Sequence, residues 1–299
     1  MYPFGGGDLA TALVVYPDAT EYTTLSLEGI GDPRPIANID RAHLARELAR
    51  LRTTLAKSLG WAWNTTIQLS LDSSEPGRAL PVILVQALVA LAANGYEPLE
   101  ARYFRPRADG TLDYLDDAAL AAADAAPPAR GHKSTNALQA GPFADVEIVF
   151  RARGDAAAPK KIFRHIAADL SDAALARDRG ALAMLESRGD IAALTKAASY
   201  LLWKPEFAQL RDYLLAHARV MISDDTGIPP RYGEPAGFTY AVWGSYAGPH
   251  FEFARKDVAS ELVALWKRAP ARPLPFRFGY YDRRGRAVLM LITAREPTP

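Results

Sequence analysis

The segment Ala79–Ala93, ALPVILVQALVALAA, constrains the fold most, because only Gln86 interrupts its apolar side chains. It falls short of the about 20 residues that a bilayer-crossing helix needs. A helix apolar on every side then belongs at the centre of a core, with Pro81 in its first turn and Gly95 as its stop. No membrane span is predicted. A chain of 299 residues, 49% hydrophobic and 23% charged, has the material for one large core or two moderate ones.

Around this helix the chain reads as α/β or α+β, in two portions with mixed sheets and packed helices. Residues 1–115 form the first. An apolar run at Leu13–Tyr16 and a strand at Glu21–Glu28 precede an amphipathic helix from Asp40 to Leu59, where Leu44, Leu48, Leu51, Leu55 and Leu59 recur at helical spacing and Asp40 is the N-cap. A short strand is expected over Thr65–Leu71. A hairpin follows, Leu99–Arg105 and Thr111–Leu115, turning at Asp109-Gly110. Residues 116–144 are rich in Ala, Pro and Gly and poor in large apolar side chains, so most of this stretch is expected to be a mobile loop.

The second portion, 145–299, opens with strands Val146–Ala152 and Lys161–Ala167. Helices are expected at Ser171–Glu186, Asp190–Trp203 and Phe207–His217, with Ser171 and Asp190 as N-caps. Strands Val220–Ser223 and Phe238–Tyr246, a helix Asp257–Arg268 and a hairpin of Phe276–Tyr281 with Ala287–Thr293 complete it. The two portions echo each other faintly: Asp8, Tyr22, Gly29 and Pro33 in the first correspond to Asp225, Tyr240, Gly244 and Pro249 in the second. A diverged duplication is one expectation; the ordinary similarity of α/β chains is the other.

Several segments, YPFGGGDLATALVVYPDATEYTTLSLEGIGD, VEIVFRARG, IAADLSDAAL, LTKAASYLLW and VMISDDTGIPPRY, resemble in family order a family of uncharacterised bacterial proteins. The chain departs from that pattern at Gly7, where the family has Pro, and at Gly29-Ile30, where it has Pro-Val. The resemblance implies no known activity. Family members often carry export signals ahead of the Tyr-Pro-Phe motif. The residues from Met1 have neither a basic nor an apolar signal region. A leader lost from this chain, with periplasmic or extracellular placement, is therefore the expectation, and the cytoplasm stays open.

Composition removes several chemistries. Without Cys there is no thiolate nucleophile, disulfide or Cys-type zinc site. With 35 basic and 34 acidic residues, the near-zero net charge gives no general nucleic-acid-binding signature. His43, His132, His165, His217 and His250 show no paired-ligand spacing, so no metal is assigned, and no cofactor is indicated.

The sharpest constellation is Ser223-Asp224-Asp225-Thr226-Gly227 after an apolar strand, where open α/β sheets place ligands. Adjacent carboxylates there can bind a cation or divide acid and base roles. The spelling Asp-Thr-Gly occurs once, so a pepsin-like pair within one chain is not expected. The alternative is a turn capped by Asp and Thr, with Gly227 supplying a special φ. Lys196, Ser199 and Tyr200, spaced i, i+3 and i+4 on the expected helix from Asp190, share one face and can join that site as base, nucleophile or anion binder. Gly5-Gly6-Gly7-Asp8 lacks the strand and Gly-Lys-Ser/Thr of a phosphate loop, and a structural turn is the stronger account. Gly244-Ser245-Tyr246-Ala247-Gly248 puts Ser in the wrong place for a nucleophile elbow. Arg283, Arg284 and Arg286 beside Tyr280 and Tyr281 read as a solvated turn before an anion site.

Three functions remain open. One is an exported binding or structural protein, with Tyr240 and Trp243 among the rings offered to a glycan or protein partner. The second is a carboxylate-dependent hydrolase using Asp224, Asp225 and Lys196, with Ser199, Tyr200, Thr226 and Gly227 around them. The third is a cytoplasmic partner-binding protein tethered through its Ala/Pro-rich stretch.

Overall fold

The computed structural model describes residues 1–60, 80–125, 141–246, 256–270, 272–276, 278 and 288–294. They contain helices and two mixed sheets, an α/β or α+β fold. The chain divides into two compact units: residues 5–106 with 112–169, and residues 1–4, 107–111 and 170–299. The expected strand Thr65–Leu71 and the tip of the terminal hairpin lie outside the described residues.

The first unit runs α1 (Leu9–Val15), β1 (Glu21–Ser26), α2 (Arg34–Ala37), α3 (Arg41–Gly60), α4 (Val82–Ala93), β2 (Tyr96–Pro106), β3 (Leu112–Tyr114), α5 (Asp117–Ala125), β4 (Asp145–Ala152) and β5 (Lys161–Ala167). Its strands order as β1-β5-β4-β2-β3, with β1 parallel to β5 and the other pairs antiparallel. The apolar helix is α4. Pro81 is its N-cap rather than part of its first turn, and Asn94 and Gly95, with φ +77°, end it. Seven of its residues, from Val82 to Leu91, are buried, and α1 and β2 pack against it. Leu51 of α3 joins Leu80, Val82 and Val85 in one apolar cluster, and Asp40 caps α3 through the His43 amide at 2.8 Å. One face of the sheet carries Tyr22, Val146, Ile148, Phe150 and Phe163 into the core. Across the other face runs an ionic row in register: Arg102 opposes Glu147, which opposes Arg164.

One segment is assigned here and one expectation is corrected. The apolar run at Leu13–Tyr16 belongs mostly to helix α1, capped by Asp8, which accepts from the Thr11 amide at 3.1 Å and its hydroxyl at 2.7 Å. The Ala-rich stretch begins with helix α5, whose Ala119 amide donates to Asp116 at 2.7 Å. Alanine's high helix propensity offsets the lack of large side chains there. Residues 126–140, and with them Pro127-Pro128, lie outside the described residues.

The second unit contains α6 (Asp172–Arg177), α7 (Gly180–Glu186), β6 (Ile191–Thr195), a 3-10 segment Ala197–Trp203, α8 (Ala208–His217), β7 (Ala218–Ser223), α9 (Pro230–Gly233), β8 (Phe238–Gly244), α10 (Lys256–Arg268) and β9 (Val288–Ala294). The order is β6-β7-β9-β8, with β6 parallel to β7 and the rest antiparallel. The Leu194 amide also bonds the Met1 carbonyl at 2.9 Å. Val258, Leu262 and Leu265 form the buried stripe of α10, at steps of four and three.

The expected helix Asp190–Trp203 is instead strand β6 followed by a 3-10 segment. A five-residue apolar run fits either period, and parallel pairing with β7 decides it. Asp190 caps nothing; it pairs with Arg219 at 2.9 Å. The helix expected over Ser171–Glu186 breaks at Asp178, whose carboxylate accepts from the Gly180 amide at 3.0 Å and starts α7. Of the two readings of 116–144, a domain boundary or an insertion within one domain, the sheet favours the insertion, because β4 pairs with β2 and β5 with β1 across it. The duplication meets a topological difference: both sheets hold one parallel pair followed by antiparallel neighbours, but the chain threads them in different orders. Moreover β1, carrying Tyr22, runs parallel to its partner, whereas β8, carrying Tyr240, runs antiparallel to its own.

Candidate functional site

The second unit sets a polar cluster at the carboxyl ends of its parallel pair. Thr195 ends β6 and Ser223 ends β7; the two are register partners and their fully buried hydroxyls are hydrogen-bonded. The next residues along the two strands are Lys196 and Asp224. Parallel strands aim their ends the same way, so charged residues just past them gather at one edge of the sheet.

The turn that follows is built by Asp224. Its carboxylate Oδ1 accepts from the Thr226 amide at 2.8 Å and from the Thr226 hydroxyl at 2.5 Å, and its carbonyl accepts from the Gly227 amide at 3.4 Å. Two donors on one oxygen favour its ionised form. Gly227 is required for space, not for an unusual φ: a Cβ there would lie 2.3 Å from Ser223 Oγ and 2.5 Å from Ser223 Cβ. Trp203 closes the far end of the turn. It is 2% exposed and its indole N–H donates to the Gly227 carbonyl at 2.8 Å.

Asp225 is 3% exposed. Burial, and then the charge of Asp224, push its carboxyl well above the usual carboxylate range. Tyr246 feels the same surroundings: burial, then the charges of Asp225 and Asp224, raise its phenol above the ordinary range. Its ring lies 5.3 Å from that of Trp266, and its buried hydroxyl has no hydrogen-bond partner among the described residues. The two adjacent buried acids therefore differ in setting: Asp224 accepts both Thr226 donors, whereas burial and the charge of Asp224 raise Asp225.

The other expected site residues divide. Lys196 and Ser199 do not lie on an α-helix. Lys196 has extended backbone and places its ammonium 5.8 Å from the Phe278 ring centroid. Ser199 is fully buried and donates its hydroxyl to the Lys196 carbonyl at 2.9 Å, within the first turn of the 3-10 segment. Tyr200 is partly buried, which raises its phenol, and it packs edge-on against Trp203 at 6.5 Å. Tyr240 donates to the Ile228 carbonyl at 3.2 Å beside Gly233, where a Cβ would meet its hydroxyl. Trp243 lies under the Arg272 guanidinium at 4.8 Å, and its carbonyl accepts from Trp266 at 3.2 Å. Both rings are thus engaged within the fold.

Thr195 and Trp203 are not among the expected site residues. Thr195 carries a weak signal, a polar residue ending a short apolar run as Ser223 does. Nothing local marks Trp203 as a partner of Gly227, since the bond spans 24 positions.

In the first unit, Gly5–Asp8 is a structural turn, with the Asp8 amide bonded to the Gly5 carbonyl at 2.9 Å. His165 is fully buried. Its Nε2 donates to the Glu28 carbonyl at 2.8 Å, so Nδ1 accepts from the Thr24 hydroxyl at 3.0 Å. Burial, opposed by backbone bonds to Glu28 and Gly6, lowers this imidazole to about 4. His217 stacks on Tyr213 at 4.7 Å, and His43 lies 4.0 Å from Glu47. His132, His250, Arg283, Arg284, Arg286, Tyr280, Tyr281, Ala247 and Gly248 lie outside the described residues. Among the described residues, no three His, Asp or Glu gather to hold a metal, and no helix is long and apolar enough to cross a membrane. Comparison with protein-family models, with curated proteins and with solved structures finds no match to this chain.

Proposed function

We propose that the Ser223–Gly227 turn is an acid–base centre and that the chain is a carboxylate-dependent hydrolase. One observation carries this reading: two adjacent buried carboxyl groups follow the end of β7, one accepting the Thr226 amide and hydroxyl and the other raised by burial beside that charge. Asp225, kept neutral, donates its proton to the leaving oxygen of a bound substrate as that bond breaks. It then takes a proton from the water that supplies the new hydroxyl, which returns it to its starting state. Asp224 remains ionised, bonded to Thr226, and its charge keeps Asp225 protonated between turnovers. Lys196 follows Thr195 as Asp224 follows Ser223, so its backbone lies just past the same sheet edge. The segment VMISDDTGIPPRY, part of the resemblance to uncharacterised bacterial proteins, contains this turn.

An exported binding protein that stacks a glycan on Tyr240 and Trp243 is the less supported reading, since both rings are engaged internally. The test is hydrolysis of p-nitrophenyl esters, phosphates and glycosides by the wild type, Asp225→Asn and Asp224→Asn. The wild type should turn over one class, and Asp225→Asn should lose about 100-fold or more, the scale of one acid–base group. Equal rates in the wild type and Asp225→Asn, or no turnover of any class, would overturn the reading.

A further inference from the structure

We infer that Trp203 is the positioning residue of the Asp225 carboxyl, acting through the Gly227 carbonyl, so that one segment of chain clamps both ends of the acidic turn. The inference rests on the acid–base reading of that turn. The segment is Thr195–Trp203. At its start Thr195 bonds the Ser223 hydroxyl, immediately before the two acids; at its end Trp203 bonds Gly227, two residues after Asp225. Between them Ser199 bonds back to Lys196 and fixes the first turn of the 3-10 segment.

The clamp is itself held from outside. Arg211 on α8 donates to the carbonyls of Leu202 and Lys204 at 3.0 and 3.3 Å, on either side of Trp203. The Arg211 guanidinium lies 4.2 Å from the Tyr232 ring centroid, and the Tyr232 hydroxyl reaches the Trp203 carbonyl at 3.4 Å. Trp203 is among the largest fully buried side chains, so its ring has little room to turn away from Gly227. A turn of five residues pinned at both ends has few ways to swing Asp225 out of its buried setting. Releasing the Gly227 end would let bulk water solvate the carboxyl and remove the environment that distinguishes it from Asp224.

The test needs no substrate. The C=O stretch of the protonated Asp225 carboxyl is isolated by difference infrared spectroscopy against Asp225→Asn and followed against pH. Trp203→Phe keeps an aromatic ring but removes the indole N–H together with the fused five-membered ring, whose packing loss the control below accounts for. Its Asp225 midpoint should fall toward that of an ordinary carboxyl by about half a pH unit or more, with a broader band. Leu210→Ala, a fully buried change in α8, serves as the control; it should lower the melting temperature without moving the midpoint. An unchanged midpoint in Trp203→Phe, or an equal movement in Leu210→Ala, would overturn the positioning role and leave the acid assignment standing. A wild type without the protonated band would overturn both.

Discussion

Thr195 and Ser223 are register partners at the carboxyl ends of two parallel strands, and their buried hydroxyls are hydrogen-bonded. That contact fixes where β7 stops and the acidic turn begins. Everything chemical about the turn follows from what comes next: Asp224 is spent on the backbone of its own loop, and Asp225 is carried inward.

Asp225 should therefore weaken the fold it belongs to. A carboxyl whose folded pKa is raised contributes fully below its unfolded value and loses that contribution as pH rises through the folded value. Asp225→Asn should raise stability at pH 7 by about 1–3 kcal/mol, the scale of desolvating a polar group. The gain should shrink as pH approaches 4, the usual Asp range. Urea denaturation of both proteins across that pH interval measures it.

Asp224 should behave in the opposite way. Asp224→Ala removes the acceptor of two buried Thr226 donors, leaves them unmet and should cost about 1–3 kcal/mol at neutral pH. Asp224→Asn keeps one carbonyl acceptor and should recover part of the loss. Equilibrium unfolding of the two variants separates these cases.

The ionic row in the first unit is a stability element. Glu147 is 2% exposed and accepts from Arg102 and Tyr114, with Arg164 at 2.8 Å. Burial works against its charge, but the hydrogen bonds from Arg102 and Tyr114 and the charge of Arg164 outweigh it and hold the carboxyl below its usual range. Among the described residues, Glu147→Gln leaves the buried Arg164 with Glu21, at 2.6 Å, as its one remaining carboxylate and should cost about 3 kcal/mol. Differential scanning calorimetry of the variant tests this.

His165 sets an acid limit. Its folded pKa of about 4 lies below its ordinary 6.5, so its share of stability is present above 6.5 and is lost as pH falls toward 4. The loss across that window should be roughly 3 kcal/mol. In His165→Gln the slope of unfolding free energy against pH should flatten between those values.

Legibility from sequence followed the range of the interactions. The helix α3 with its Asp40 cap, the apolar helix α4 and the β2–β3 hairpin are local patterns, and the chain spells them out. The sequence suggests helix for β6 because IAALT carries no period of its own; its partner β7 begins 27 residues on. The Asp224–Asp225 pair was visible because strand-end carboxylates stand out in sequence. Which acid serves the turn and which is carried inward was not visible. That division depends on Thr226 reaching back to Asp224 and on Trp203 arriving from another segment. The Lys196, Ser199 and Tyr200 face was drawn with an α-helical period that the 3-10 segment does not have.

The proposed chemistry requires Asp225 to be a neutral acid beside an ionised Asp224. A carbon-13 NMR titration of carboxyl-labelled aspartate, assigned with Asp224→Asn and Asp225→Asn, reads both groups directly. At neutral pH the Asp225 resonance should sit at its protonated position and titrate only above the ordinary carboxylate range, while Asp224 stays ionised. An Asp225 resonance already ionised at pH 7, with a midpoint in the usual Asp range, would contradict the account.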